Sequence, residues 1–322
     1  MSTAAATAVS DVDAQIVASH GQRLLVETQA GDVVSCFARS RLGTIVCGDR
    51  VRIARTGSSE GMIEAVHARS SLIYRSDRKR EKAIAANVSQ AVVVLANTPR
   101  PNAEFIDRCL AAIEHAGVKA LLLQNKIDLD PQRALQRMLL ARYGALGYPI
   151  RELCAHAAVE PLTSALQAQA SLLIGQSGVG KSTIVNALLP FAGARTGEMS
   201  RSEAGRHTTT HARLYRLGAD TTLIDSPGMH QFGLQHIAPA ELAACFIEFR
   251  PLAGQCRFND CRHADEPGCA LHEAVRQGEI APERMRSYER ILNSLEPPLG
   301  ARSGAGRAEP ARHRHQRDDD EP

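Results

Sequence analysis

The chain has 322 residues, of which 44% are hydrophobic and 23% charged, and its formal net charge is +3. That length exceeds one small core and suits two or three domains, while so small a net charge singles out no partner by bulk electrostatics. No run of 18 uncharged apolar residues occurs, which argues against a membrane-spanning helix, and the start MSTAAATAVSDVD lacks the basic-then-apolar pattern of a secretory signal, so a cytoplasmic protein is expected.

Residues 1–13 read as a flexible leader. From 14 to 74 the pattern is strand-like: AQIVASH, RLLVET, VVSCFAR, DRVRIAR and MIEAVHA alternate and are rich in β-branched residues, with Gly-containing turns between them. Five short strands in so little chain predict a small closed barrel, an OB-fold in first place with an SH3-like barrel as the competing form. Phe37 and Tyr74 are the only aromatic candidates there for stacking on bases. The basic run Arg75, Arg78, Lys79, Arg80 and Lys82 follows, and reads most simply as a solvated surface.

The rhythm then changes. Ala91–Ala96 is a continuous apolar run, as in a strand buried on both faces. Helix-spaced Phe105, Ile106, Cys109, Leu110 and Ile113 predict a helix over 103–115, ended by Gly117. Strands over 119–124, near 149–154, over 171–174 and over 221–224 alternate with helices around 131–143, 161–167 and 182–189. Such alternation predicts a parallel sheet covered by helices on both faces across 75–238. A mostly helical, polar region over 239–298 carries a Cys/His cluster, and 299–322 reads as a disordered tail.

Gly175-Gln176-Ser177-Gly178-Val179-Gly180-Lys181-Ser182-Thr183 matches G-x-x-x-x-G-K-[ST] between an apolar strand and a helix. The glycines let backbone N–H groups wrap phosphate oxygens, and the helix N-terminus adds partial positive charge. Lys181 is expected to reach the β- and γ-phosphates and Ser182 to bind Mg²⁺. Leu223-Ile224-Asp225-Ser226-Pro227-Gly228 is a strand ending in D-x-P-G. Asp225 can hold the Mg²⁺ shell, usually through water, and the Gly228 N–H can meet the γ-phosphate. Between them lies Gly205-Arg206-His207-Thr208-Thr209-Thr210-His211, with a threonine suited to Mg²⁺ and the γ-phosphate; spacing alone does not choose among the three.

Asn125-Lys126-Ile127-Asp128 closes the strand ALLLQ and has the N-K-x-D form of a guanine reader. The aspartate accepts from guanine N1–H and its exocyclic amine, a donor pair that adenine lacks. It lies about fifty residues before the phosphate loop, and no second N-K-x-D follows Asp225, so the GTPase order is circularly permuted. Cyclic rearrangement of βα units preserves a parallel sheet when the old termini lie close together. The base-loop partner, usually Ser-Ala, is Cys154-Ala155 here.

Of eight cysteines, Cys256, Cys261 and Cys269 crowd together with His263, and the other five are scattered. Three thiolates and an imidazole suit one closed tetrahedral Zn²⁺ site with a structural role, and the scattered cysteines suit isolated buried thiols. His272 nearby is read as a surface residue.

These motifs together, with Ile84–Gln90 (IAANVSQ), GRHTTTHA, the FGL of Phe232–Leu234 and CRFNDCRHADEPGC, resemble the bacterial ribosome small-subunit-dependent GTPase A family over about Ala14 to Leu295. The resemblance implies a multi-domain protein with an N-terminal all-β OB-fold-like barrel, a central circularly permuted α/β P-loop GTPase and a C-terminal mostly helical zinc-binding domain. It implies GTP hydrolysis to GDP and phosphate during late maturation of the small ribosomal subunit, stimulated by that subunit, with the subunit and its rRNA as partners and Mg²⁺ bound alongside GTP. The alternative is a GTP-gated RNA-binding switch with another RNA target. Alignment with related GTPases favours Thr209 as the Mg²⁺ threonine. Met229 stands where many GTPases have a water-orienting Gln, so His207 is the candidate to position water once a partner orders its loop. A monomer is expected. Nucleotide state is expected to be read out through the junction from Asp225 to about Pro239.

Overall fold

The computed structural model describes residues 11–21, 23–76, 81–100, 102–129, 134–192, 212–226, 232–264 and 266–295. The N-terminal strands are β1 (Asp11–His20), β2 (Arg23–Thr28), β3 (Val33–Ala38), β4 (Arg50–Arg55) and β5 (Glu60–Val66). They pair in the order β1-β2-β3-β5-β4, and β4 returns to β1, which closes a five-stranded barrel. Every second residue points inward, and Ile16, Val26, Val34, Cys36, Val51, Ile53 and Ile63 fill the interior without exposed surface. The leader is shorter than the sequence suggests. Asp11 to Asp13 already belong to β1, because their backbones pair with Arg52 to Ala54 of β4.

The sequence reading places a boundary between 74 and 75, but the chain there forms an antiparallel hairpin of β6 (Leu72–Ser76) and β7 (Glu81–Ala86). The boundary therefore falls inside a strand. Gly48 explains how tightly this hairpin meets the barrel: its φ is +92°, and a Cβ there would sit 2.2 Å from the Ala86 carbonyl oxygen. Asp49, fully buried, accepts from Val46 N (2.8 Å) and from Arg69 Nε and Nη2 (2.7 and 2.8 Å), so it ties the barrel's end to the segment leading into β6.

The central sheet comprises β8 (Gln90–Leu95), β9 (Lys119–Gln124), β10 (Ile150–Glu152), β11 (Ala170–Gly175), β12 (Arg213–Arg216) and β13 (Thr222–Asp225). Their order is β10-β9-β8-β11-β13-β12, parallel except for β12. The Ala18–Arg213 pair joins β12 to β1, so barrel and central sheet are continuous. Among the described residues the α-helices are α1 (Ala103–His115), α2 (Ala134–Ala145), α3 (Glu160–Leu166), α4 (Lys181–Leu188), α5 (Ala270–Gln277) and α6 (Pro282–Leu295). Asn102 caps α1 by accepting from Glu104 N at 2.9 Å.

The unbroken apolar strands follow from burial on both faces. Val93, Leu95, Leu122 and Ile174 face a core shared with Ile106, Leu110 and Ile113 of α1. Val92, Val94, Leu121, Leu123 and Leu173 face a second core with Leu162 and Leu166 of α3 and Ile184, Val185 and Leu188 of α4. The C-terminal region shares the α1-side core through Phe246, Phe249, Tyr288 and Ile291. Three short 3₁₀ turns between Pro239 and Leu252 lead into it. No helix among the described residues is long and apolar enough to cross a membrane.

Candidate nucleotide site and metal centre

Strand β11 ends at Gly175 and α4 starts at Lys181, which leaves Gln176 to Gly180 as the turn between them. Val179 is the loop's anchor, with its side chain buried in the α3/α4 core. Gly180 has no room for a side chain: its φ is +96°, and a Cβ would lie 2.3 Å from Asn125 Nδ2. Lys181 is 7% exposed and donates to the carbonyls of Gly175 (2.9 Å) and Gln176 (3.0 Å). Burial pulls its ammonium below the ordinary lysine range, and the Asp225 charge works against that pull. Ser182 is exposed at the second position of α4 and Thr183 is half-buried behind it.

Asp225 is the last residue of β13 and is buried. Its neighbour Ser226 donates to the Leu173 carbonyl at 2.6 Å, which fixes the end of β13 against β11 beside the phosphate loop. His207, Thr209, Gly228 and Met229 lie outside the described residues.

The reordered motifs meet in space. Asn125, 1% exposed, donates through Nδ2 to the Val179 carbonyl (2.9 Å) and accepts at Oδ1 from Ala155 N (3.1 Å). One side chain thereby joins the phosphate loop to the base loop. Lys126 has φ +58° and sends Nζ to the carbonyls of Gly178 (2.5 Å) and Thr98 (3.2 Å). Asp128 is exposed, and a hydrogen bond from Cys154 holds its carboxyl below the usual carboxylate range. A thiol donor thus stands where Ser is usual. The Cys154 carbonyl accepts from Ala157 N and Ala158 N, both at 2.9 Å, which closes a tight turn.

In the C-terminal region the ligand atoms of Cys256, Cys261, His263 and Cys269 lie within 4.8 Å of one another. His263 Nδ1 is 3.4, 3.6 and 3.5 Å from the three sulfurs. Tetrahedral Zn²⁺ with ordinary Zn–S and Zn–N bonds requires an N···S edge of about 3.5 Å, so the donor set fits such an ion. Burial pushes the Cys261 thiol up to about 12 and holds the His263 imidazole neutral. Clustered thiolates here need a cation to stay deprotonated. The supports of this loop carry no signature in the sequence pattern beyond one acidic residue. Glu266 accepts from Arg262 N (3.0 Å) and Ala264 N (2.9 Å), and the Tyr288 hydroxyl donates to the Arg262 carbonyl (3.0 Å). Only the Glu266 position inside the cysteine run hinted at this. His272 is half-buried against the Ala264 carbonyl and lies outside the ligand set. Of the scattered cysteines, Cys36, Cys47, Cys109 and Cys245 are buried and Cys154 is half-buried in the nucleotide site.

The family model described as RsgA GTPase matches residues 66–235. A relative from Nitrosomonas europaea, called small ribosomal subunit biogenesis GTPase RsgA, is 48% identical over 285 residues, 87% of this chain and 91% of the relative. A protein of the same name from Neisseria meningitidis serogroup B is 46% identical over 283 residues, 88% of this chain and 92% of the relative. Among solved structures, YjeQ from Thermotoga maritima superposes with a TM-score of 0.69 at 31% identity, covering 89% of this chain and 99% of that one. YloQ, described as a circularly permuted GTPase, superposes at 0.65 and 22% identity over 91% of this chain and 98% of that one, and supports the fold.

Proposed function

The chain belongs to the RsgA GTPase family, and from that premise we propose that it hydrolyses GTP to GDP and phosphate as a factor in late maturation of the small ribosomal subunit. The observation that carries the reading is Asn125, whose side chain bonds both the phosphate loop and the base loop although its motif precedes both in the chain. In this reading Asn125, Lys126, Asp128, Cys154 and Ala155 receive the guanine. The backbone of Gly175 to Gly180, with Lys181, Ser182 and Thr183, receives the phosphates. Ser182 and Thr209 hold Mg²⁺, Asp225 backs its shell, and the Gly228 N–H senses the γ-phosphate. Mg²⁺ supplies charge neutralisation between the phosphates when GTP is bound. Zn²⁺ on Cys256, Cys261, His263 and Cys269 is structural, since four protein ligands leave no open position.

The proposed extents are a barrel from Asp11 into the segment before β6, a GTPase region to about residue 238 and a zinc region from 239 to about 298. A cytoplasmic monomer that grips rRNA through its barrel and zinc region accords with the family and with the absence of a membrane-crossing helix among the described residues. His207 positions the attacking water once the subunit orders its loop, because Met229 cannot.

The test is GTP hydrolysis with and without purified small subunits. Stimulation by the subunit is expected, with His207→Ala losing the stimulated rate and keeping nucleotide affinity. An unstimulated enzyme overturns the ribosomal assignment, and an unchanged stimulated rate in His207→Ala overturns the role of that residue.

A further inference from the structure

Behind the N-K-x-D segment lies a feature that its motif does not contain. Strand β9 runs Leu121-Leu122-Leu123, all buried, and then places Gln124 inside at 1% exposure. A buried carboxamide is unfavourable unless its donor and acceptor find partners. Here both do. Gln124 Oε1 accepts from Nε2 of Gln136, itself 8% exposed on α2. Gln124 Nε2 donates to the Asn125 backbone carbonyl at 3.0 Å and approaches Asn97 Oδ1 at 3.4 Å.

The Asn125 carbonyl is where this bond matters. Asn125 N still follows the strand ladder, donating to Leu95 O at 2.8 Å. The next residue, Lys126, has φ +58°, a left-handed conformation that carries a cost in any residue with a side chain. That turn swings the chain out of the ladder, sends Lys126 along the phosphate loop and leaves Asp128 exposed beside Cys154. Gln124 supplies the donor for the carbonyl at the turn. Its own carbonyl accepts from Leu153 N at 2.8 Å, immediately before the base loop. One residue thus meets the guanine-reading turn, the strand feeding the base loop, the loop after β8 and helix α2.

We propose that Gln124 is a positioning residue for guanine recognition: its carboxamide, supported by Gln136, fixes the left-handed turn at Lys126 and so the placement of Asp128 against the base. The proposal rests on the guanine-binding reading given above. Gln124 touches no nucleotide and acts only through the backbone of Asn125.

The experiment measures binding of GDP and IDP to the full chain by competition with a fluorescent GDP. IDP lacks the exocyclic amine, so the affinity ratio reports how well Asp128 meets that amine. Gln124→Met keeps the length of the side chain and removes its polarity. It is expected to weaken GDP about tenfold, the scale of one lost hydrogen bond with its acceptor left buried, and to lower the GDP-over-IDP ratio at least threefold. Gln136→Met is expected to act in the same direction and more weakly. Gln124→Glu provides a rescue: as the pH falls and its carboxyl protonates, it again offers one acceptor and one donor, and the ratio recovers. If both Met variants keep the wild-type ratio, whatever happens to melting temperature, Gln124 is merely structural and the proposal is overturned. If Gln124→Met does not fold, Gln136→Met decides by the same ratio. A wild-type protein that fails to distinguish GDP from IDP overturns the guanine reading itself, and this proposal with it.

Discussion

Asn125 offers a direct test at the level of one residue. Replacing it by Ala removes the acceptor for Ala155 N–H and the donor to the Val179 carbonyl in a site closed to water. Two lost bonds with both partners left buried predict a loss of about 2–3 kcal/mol in GDP binding, or a Kd raised about 30- to 140-fold by calorimetry. His236 carries a pH prediction. Burial, aided by His115, lowers its imidazole to about 4 from 6.5, and its Nδ1 lies 3.1 Å from the Ser76 hydroxyl. The folded protein keeps this ring neutral while the unfolded chain protonates near 6.5, so stability is full above that pH and falls as the pH drops towards 4. Since the ring is only partly buried, the effect is on the order of 1 kcal/mol after allowance for solvent screening. Denaturation midpoints of the wild type and His236→Asn between pH 7 and 4.5 check it: the wild type should lose more.

Among elements, the contact between α1 and α6 rests on charges that water barely reaches. Arg284 pairs with Asp107 of α1 and with Glu248, with Nε 2.5 Å from the Glu248 carboxylate. Its guanidinium lies 4.5 Å from the centre of the Phe246 ring. The Tyr143 hydroxyl of α2 also donates to Asp107, at 2.7 Å. Burial pushes the Asp107 carboxyl up, and Arg284, Ser287 and Tyr143 act against that push. Burial likewise opposes the Arg284 charge, but Glu248 and Asp107 more than offset it, so its pKa is raised. Arg284→Met leaves two carboxylates buried without their cation. A loss of about 3–5 kcal/mol is expected, seen as an early thermal transition. Glu248→Gln, which keeps a hydrogen-bond acceptor, should cost less.

For the whole molecule, α1 packs on the central sheet and also buries the C-terminal aromatics, so the region of the Cys/His cluster is mounted on the central domain through a shared core. The segment after D-x-P-G is also held. Gly233 and Ser76 exchange backbone hydrogen bonds of 3.0 and 3.1 Å, which tie a residue inside the Asp225–Pro239 junction to β6. If nucleotide state is read out across Asp225 to about Pro239, cross-links between that segment and the zinc loop should differ between a non-hydrolysable GTP analogue and GDP. Identical patterns would remove the readout and leave the nucleotide site intact.

The phosphate loop, the N-K-x-D segment and the cysteine cluster were legible in the chain because each is a local arrangement whose spacing is set by its ligand. The barrel strands and the buried strands of the sheet were legible because period-two alternation and unbroken apolar runs follow from one- or two-sided burial. Asp11 to Asp13 were hidden, since their strand character comes from β4, some forty residues away in the chain. The β6–β7 hairpin was hidden by its charged residues. Gln124, Gln136, Arg284 and Asp107 looked like ordinary polar positions, and only packing buries them. The amino acids alone determined which chemistries this protein holds and in what order along the chain. The tertiary structure decided that the reordered guanine motif rests on the phosphate loop, because only a parallel sheet with β9, β8 and β11 side by side brings Asn125 within a hydrogen bond of Val179.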